Sequence, residues 1–138
     1  METKRLCKSF AKDYNFGTQS ENALMSAIKV FDPTLQKTSV YHPFDFAGTT
    51  TFVELKTRRN KKDTYPTTMI PQSKVEYALK NTGFEYVFCF MFEDGLYYIK
   101  FNKEKFAGFE VRSGGRCDRG RVESNMYCYI PVSELTLL

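Results

Sequence analysis

The sequence predicts an α/β domain in which helices flank a mixed central sheet, followed by a C-terminal β extension. One observation is that Leu24, Ile28 and Phe31 recur at the spacing of an amphipathic helix. A second is that residues 84–92 (FEYVFCFMF) are apolar on both faces, as in a strand covered on both sides. With 138 residues the chain is expected to form one domain, its core over about residues 17–100 and its extension over 101–138.

The composition is that of an ordered, mildly basic protein. The apolar fraction is 42%, and 13 Phe and 9 Tyr supply most of the ring packing in the absence of Trp. The net charge of +4 favours polyanionic partners only slightly. No stretch has the roughly 18 apolar residues of a membrane span, and the four cysteines show no CxxC spacing. We therefore expect an intracellular protein, cytoplasmic or nuclear, with no membrane partner.

The predicted elements follow from periodicity and from turn residues. Gly17 and Thr18 open the first helix and Asp32-Pro33 ends it, while Asp94-Gly95 is typical of a hairpin turn. The remaining elements, in chain order, are a strand over 35–42, a hairpin over 45–56, a polar loop over 64–68, a helix over 72–81, strands over 84–92 and 96–101, a helical turn over 102–106, and strands over 109–112 and 127–132.

The hairpin over residues 45–56 carries an unusual concentration of charge. Because side chains alternate along a strand, Phe52, Glu54 and Lys56 share one face, and Val53 and Leu55 share the other. Asp45 lies on the strand before, so two carboxylates and an ammonium stand within what otherwise reads as sheet interior. Buried charges are costly unless they are paired or bind a metal.

Two further polar residues lie on the helices beside this hairpin. Glu21 falls on the apolar stripe of the first helix, three residues before Leu24. Thr18-x-x-Glu21 is also a capping box, so Glu21 is compatible with a capping role, a functional role, or both. Gln72 precedes Val75 by three residues and Leu79 by seven, which places it on the inner face of its helix. Ser73-x-x-Glu76 is the predicted cap of that helix.

Carboxylates that converge on one spot repel each other unless a divalent cation is present, and oxygen-rich sites suit Mg²⁺ or Mn²⁺. Such a metal lowers the pKa of a bound water and neutralises phosphate charge, which favours phosphodiester hydrolysis. In this interpretation Lys56 stabilises developing charge or orients the water, and Gln72 positions the water or a phosphate oxygen.

This arrangement resembles the PD-(D/E)xK nuclease superfamily over about residues 17–92. Asp45 matches the first acid, Glu54-Leu55-Lys56 the (D/E)xK element, and Glu21 the acid of the preceding helix. Gly17-x-x-x-Glu21 is similar to the helix start of the Holliday-junction-resolvase branch, and Gln72 to a polar residue there. The proline is displaced, since Pro43 stands two residues before Asp45.

The resemblance implies a restriction-endonuclease-like αβββαβ core and a metal-dependent deoxyribonuclease, structure-selective, possibly viral and acting in the host cell. Metal ligands would be Asp45, Glu54 and Glu21, with Lys56 and Gln72 as further catalytic residues. The partner would be DNA, and a homodimer is possible by analogy with junction resolvases.

Basic residues cluster beside the predicted site. One run directly follows the strand that carries Lys56, and another occupies a glycine-rich loop. Either could be an ordinary solvated connection, or could contact phosphates. The candidate nucleic-acid-binding residues are Arg58, Arg59, Lys61, Lys62, Lys74, Arg116, Arg119 and Arg121.

Three alternatives remain open on sequence grounds. The chain could be an exonuclease or single-strand nuclease, or a non-catalytic nucleic-acid-binding protein that retains the nuclease fold. In the third alternative, Glu54 and Lys56 form only an ion pair on an exposed edge strand of an unrelated protein. Cleavage assays on a panel of DNA structures separate these possibilities.

Overall fold

A computed structural model describes residues 23–114 and 125–138 of the chain. Residues 23–28 are helical and are called α1. Short 3₁₀ turns occupy Lys62–Thr64 and Val132–Glu134. The other elements, in order, are β1 (Gln36–Lys37), β2 (Phe46–Ala47), β3 (Thr51–Thr57), β4 (Thr67–Pro71), α2 (Gln72–Lys80), β5 (Glu85–Phe92), β6 (Gly95–Lys100), α3 (Lys103–Ala107), β7 (Glu110–Ser113), β8 (Met126–Pro131) and β9 (Thr136–Leu137).

The described strands form two sheets, a six-stranded mixed one and a three-stranded antiparallel one. The larger sheet has the order β1-β2-β3-β5-β6-β9, and the smaller has the order β4-β8-β7. Only β3 and β5 pair in parallel within the larger sheet, because the chain between them crosses over through β4 and α2. This order is consistent with the predicted nuclease-type arrangement, with the C-terminal strands added at one edge and in the second sheet.

Strand β5 divides the hydrophobic core in two. Phe88 and Phe90 face one cluster, which also holds buried side chains of α2, β4 and β8. Val87 and Cys89 face the other, where Leu24 and Ile28 of α1 pack. Both faces of β5 are therefore covered, which explains its nearly continuous apolar sequence.

Most predicted elements are confirmed, including the 45–56 hairpin, the Asp94-Gly95 turn and the helical turn after Asn102. The Asn102 side chain accepts the Lys105 N–H at 2.9 Å and so caps α3. The described helical residues of α1 end at residue 28, three residues before the predicted end, and continue as turns.

Two strand predictions and one loop prediction are wrong in part. The strand predicted over 35–42 contains only β1, because the chain turns at residues 39–42. The polar loop predicted over 64–68 runs into β4, where Thr68 and Ile70 alternate inward and pair with β8. The strand predicted to be the last is followed by β9, which pairs with β6.

The prediction for the second helix is correct in its bounds and wrong in its cap and inner face. Helix α2 follows β4 directly, so Pro71 is its N-cap and Ser73 lies inside the helix, where no side-chain capping bond forms. Its buried residues are Val75 and Ala78, whereas Leu79 is 41% exposed.

A buried carboxylate fastens the exit of α1 to the turn before β3. Asp32 accepts hydrogen bonds from the backbone N–H and hydroxyl groups of Thr34 and Thr50, at 2.6–3.0 Å. These bonds, those from Thr34 first, hold the pKa of Asp32 well below its usual range. A Cβ atom at Gly48 would stand 2.5 Å from Asp32 Oδ2. Only a glycine therefore fits beside this carboxylate.

We expect Gly48→Ala to lower the free energy of unfolding by about 1–3 kcal/mol, because the added methyl group must displace the hydrogen-bonded Asp32 carboxylate. Denaturant unfolding measures the change. Gly108→Ala is the matched control, since a Cβ there meets only Lys105 O at an ordinary 3.5 Å. Equal stabilities of the two variants would contradict the assigned role of Gly48.

Candidate active site

Glu54 is a buried carboxylate in the middle of the larger sheet. It lies on β3, is 4% exposed and stands beside Phe88 of β5. Its Oε2 is 3.1 Å from Lys56 Nζ, and its Oε1 is 3.9 Å from Lys74 Nζ. Burial raises the pKa of Glu54, and the charge of Asp45 raises it further, while the two ammonium groups act in the opposite direction.

Asp45 stands immediately before β2, where the pairing of β2 with β3 ends. Had that antiparallel ladder continued, the Phe44 carbonyl would have accepted the Leu55 N–H. Instead Asp45 Oδ2 accepts it at 2.8 Å, and the Phe44 carbonyl accepts the Thr38 hydroxyl at 2.5 Å. The exposed Asp45 carboxylate is thereby oriented at the edge of β3, close enough to Glu54 to affect its ionisation.

Helix α2 brings two polar side chains that differ in their environment. Lys74 donates to the Pro43 carbonyl, and its Nζ lies 5.3 Å from the centre of the Phe44 ring, in addition to its contact with Glu54. Gln72 Oε1 is buried and has no hydrogen-bond partner among the described residues. A buried acceptor without a donor is uncommon and is a reasonable place to expect a bound group.

The basic run after β3 divides into engaged and exposed residues. Arg58 donates from Nη2 to the Met69 carbonyl at 2.7 Å and from Nε to the Thr68 hydroxyl at 3.2 Å, and so ties β3 to β4. Burial lowers the pKa of its guanidinium. Lys62 pairs with Asp63 at 2.7 Å. Arg59 and Lys61, by contrast, are exposed.

The structure thus brings Asp45, Glu54 and Lys56 together and adds Lys74 to them. The other candidates, Glu21, Arg116, Arg119 and Arg121, lie outside the described residues. Within the described ranges no group of three or more His, Cys, Asp or Glu side chains could hold a metal ion.

The role of Lys74 at this site was not apparent from the sequence, which placed it among nucleic-acid contacts. The predicted inner face ran through Leu79, whereas the observed one is shifted toward Ala78. Tyr77 packs against Phe44, with the ring centres 5.5 Å apart. No local signal in the sequence indicated the contact of Lys74 with Glu54, because the two residues lie on different elements.

A mixed α/β fold that places Asp45 immediately before β2 and the Glu54-x-Lys56 element on the adjacent strand β3 is consistent with a nuclease of the PD-(D/E)xK type. The chain belongs to the family described as "Phage putative PDDEXK endonuclease", whose model matches residues 12–138. No curated protein and no solved structure matches the chain.

Family membership identifies the protein as a nuclease, a phosphodiester hydrolase whose implied substrate is DNA. The match extends through residues 101–138, beyond the region that resembles the superfamily. No helix in the described part of the chain is long and apolar enough to cross a membrane.

We expect Glu54→Gln to raise the melting temperature at pH 7 in the presence of EDTA. The pKa of Glu54 is raised above its ordinary value of 4.5 in the folded protein. The stability of the wild type therefore falls as the pH rises from 4.5 through the folded-state pKa. Glutamine mimics the protonated carboxyl, so the higher stability of Glu54→Gln disappears below about pH 4.5. Thermal unfolding at pH 4 and pH 7 measures this, with the exposed Glu93→Gln as control. A lower melting temperature for Glu54→Gln at pH 7 would contradict the assigned burial cost.

Replacement by alanine should lower the free energy of unfolding much more at Arg58 than at its neighbour Arg59. Arg58→Ala leaves the acceptors on Thr68 and Met69 without their charged donor, and we expect a loss of about 1–3 kcal/mol of unfolding free energy. Arg59→Ala removes an exposed side chain and should change stability by less than about 0.5 kcal/mol. Urea unfolding of both variants measures the difference. Equal stabilities would show that Arg58 is not a structural tie.

Proposed function

We propose that the protein is a Mg²⁺- or Mn²⁺-dependent endonuclease that hydrolyses DNA phosphodiester bonds. In this proposal its active site contains Asp45 and Glu54, and it prefers particular DNA structures to linear duplex. The observation that carries the proposal is the burial of Glu54 beside Asp45, with Lys56 Nζ 3.1 Å from the buried carboxylate. A purely structural ion pair would not need a second carboxylate directed at the same position, because that carboxylate makes ionisation of Glu54 harder.

The residues present fit a divalent cation. Asp45, just before β2, and Glu54, on β3, supply the carboxylate oxygens that such a cation prefers. In this proposal Asp45 and Glu54 hold the ion, and Glu21 joins them as a third ligand. A bound cation would lower the pKa of a water molecule and neutralise phosphate charge.

Lys56 is the candidate for charge stabilisation at the phosphate. Its side chain is 28% exposed, so its ammonium has access both to Glu54 and to a substrate outside the sheet. Lys74 is 20% exposed, and its bonds to the Pro43 carbonyl and the Phe44 ring restrict its movement. We therefore assign substrate contact to Lys56, and to Lys74 the positioning of Glu54.

We propose that DNA is bound by the exposed basic residues rather than by those that bond within the protein. Arg59 and Lys61 follow β3 directly and are open to solvent, which suits contact with phosphates. We propose Arg116, Arg119 and Arg121, which lie outside the described residues, as further phosphate contacts. The protein would act on DNA inside the host cell, and a homodimer would allow two cuts in one substrate.

The decisive experiment measures DNA cleavage with Mg²⁺, Mn²⁺ or EDTA on linear duplex, single-stranded, flap and four-way-junction DNA. We expect metal-dependent cleavage by the wild type. Asp45→Asn, Glu54→Gln and Lys56→Ala should each reduce its rate about 100-fold or more, as is typical when a group that stabilises transition-state charge is removed. Glu93→Gln and Lys103→Ala remove exposed charges elsewhere and should leave the rate unchanged.

Equal cleavage by the wild type and all three site variants would identify a contaminating nuclease and overturn the assignment. Binding of DNA without cleavage under every metal condition would favour a non-catalytic module instead. A preference for one DNA structure over linear duplex of the same sequence would support the proposed selectivity.

A further inference from the structure

The turn over residues 39–42 presents two apolar side chains to solvent beside the candidate active site. The His42 N–H donates to the Ser39 carbonyl at 3.1 Å, which closes a four-residue turn with Val40 and Tyr41 at its centre. Val40 is 92% exposed and Tyr41 is 93% exposed. Gly, Pro, Asn and Asp are the usual residues at such positions, so turn formation alone does not explain a valine and a tyrosine.

This turn is tied to the strand that carries Asp45. The Phe44 N–H donates to His42 Nδ1 at 3.0 Å, and the His42 ring stands edge-on to Phe52 with the ring centres 5.2 Å apart. On the other side of the turn, the Thr38 N–H donates to the Asp45 carbonyl at 3.0 Å. The exposed tip is therefore held at a defined place relative to the Asp45 carboxylate.

A cleft of about 300 Å³ separates the turn from the edge of β3. That volume is at the lower end of the range for small-molecule sites. Apolar and polar groups both line the cleft, and its wall includes Asp45 itself. Its lining includes Lys37, Ser39, Val40, His42, Asp45 and Leu55, and Tyr41 lies beside it without lining it.

We propose that an unpaired base of the DNA substrate stacks on Tyr41 at the exposed tip, so that the adjoining nucleotide enters the cleft and its phosphate reaches Asp45. The inference rests on the proposed function and specifies its substrate class as DNA with unpaired nucleotides next to the scissile bond. An exposed aromatic ring stacks on any base, so the contact would select unpaired bases without a preference for sequence. Paired bases offer no free face, since they are stacked within the duplex.

Binding to two DNA duplexes of the same sequence, one fully paired and one with a short single-stranded gap, tests this inference. The cleavage-deficient Lys56→Ala background permits anisotropy measurements with Mg²⁺ present. Adding Tyr41→Ala should weaken binding of the gapped DNA about tenfold, the usual contribution of one stacked base, and leave binding of the paired duplex unchanged. Tyr41→Phe keeps the ring and should bind as well as the parent.

Tyr65→Ala is the matched control, because Tyr65 is also exposed, at 61%, and lies in the loop before β4. A 2-aminopurine base in the gap should lose fluorescence on binding the Lys56→Ala protein, and should keep it when Tyr41→Ala is added. Equal weakening by Tyr41→Ala and Tyr65→Ala would overturn the inference. Self-association that only Tyr41→Ala abolishes would also overturn it, since the tip would then be a contact between two copies.

Failure of this inference is distinguishable from failure of the proposed function. If the wild type cuts DNA and Tyr41→Ala cuts the gapped substrate as fast as the wild type does, the stacking site is wrong and the nuclease assignment stands. If the wild type cuts nothing, the selective loss of gapped-DNA binding in Tyr41→Ala still supports the stacking site.

Discussion

The structure around the candidate site is shaped by the cost of burying one carboxylate, that of Glu54, within the sheet. Transfer of an ion from water is costly, and the charges that offset part of the cost come from different parts of the chain. Lys56 lies on the same strand and Lys74 on α2, so Lys74 contributes only when the helix is docked on the sheet. Asp45 works against this balance, because it adds like charge where a cation would be expected to bind.

The short length of β2 leaves part of one edge of β3 unpaired. Only Phe46 and Ala47 pair with β3, so the second half of β3 has no described strand on that side. The Asp45 side chain satisfies the exposed backbone at Leu55 in place of a carbonyl. On the opposite side β5 pairs with β3 along its whole length. The exposed Asp45 carboxylate therefore lies at the unpaired edge of β3, whereas Glu54 on the same strand is buried.

Predictions from the sequence were correct where the decisive interactions are local. Alternation along β3 identified the shared face of Glu54 and Lys56, and the apolar run in β5 identified a strand covered on both sides. The sequence did not reveal β4, because the inward positions of Thr68 and Ile70 acquire meaning only through pairing with β8, some 60 residues later. The contact of Lys74 with Glu54 was not predicted for the same reason, since the two residues lie in different elements.

The hydrogen bond from the Leu55 N–H to Asp45 has a spectroscopic consequence. Asp45 is at once a proposed ligand and the acceptor for one backbone amide of the central sheet. Any event that withdraws electron density from its carboxylate weakens that bond and alters the magnetic environment of one proton. The Leu55 amide resonance is thus a built-in indicator of what Asp45 holds, readable in solution without any label at the site itself.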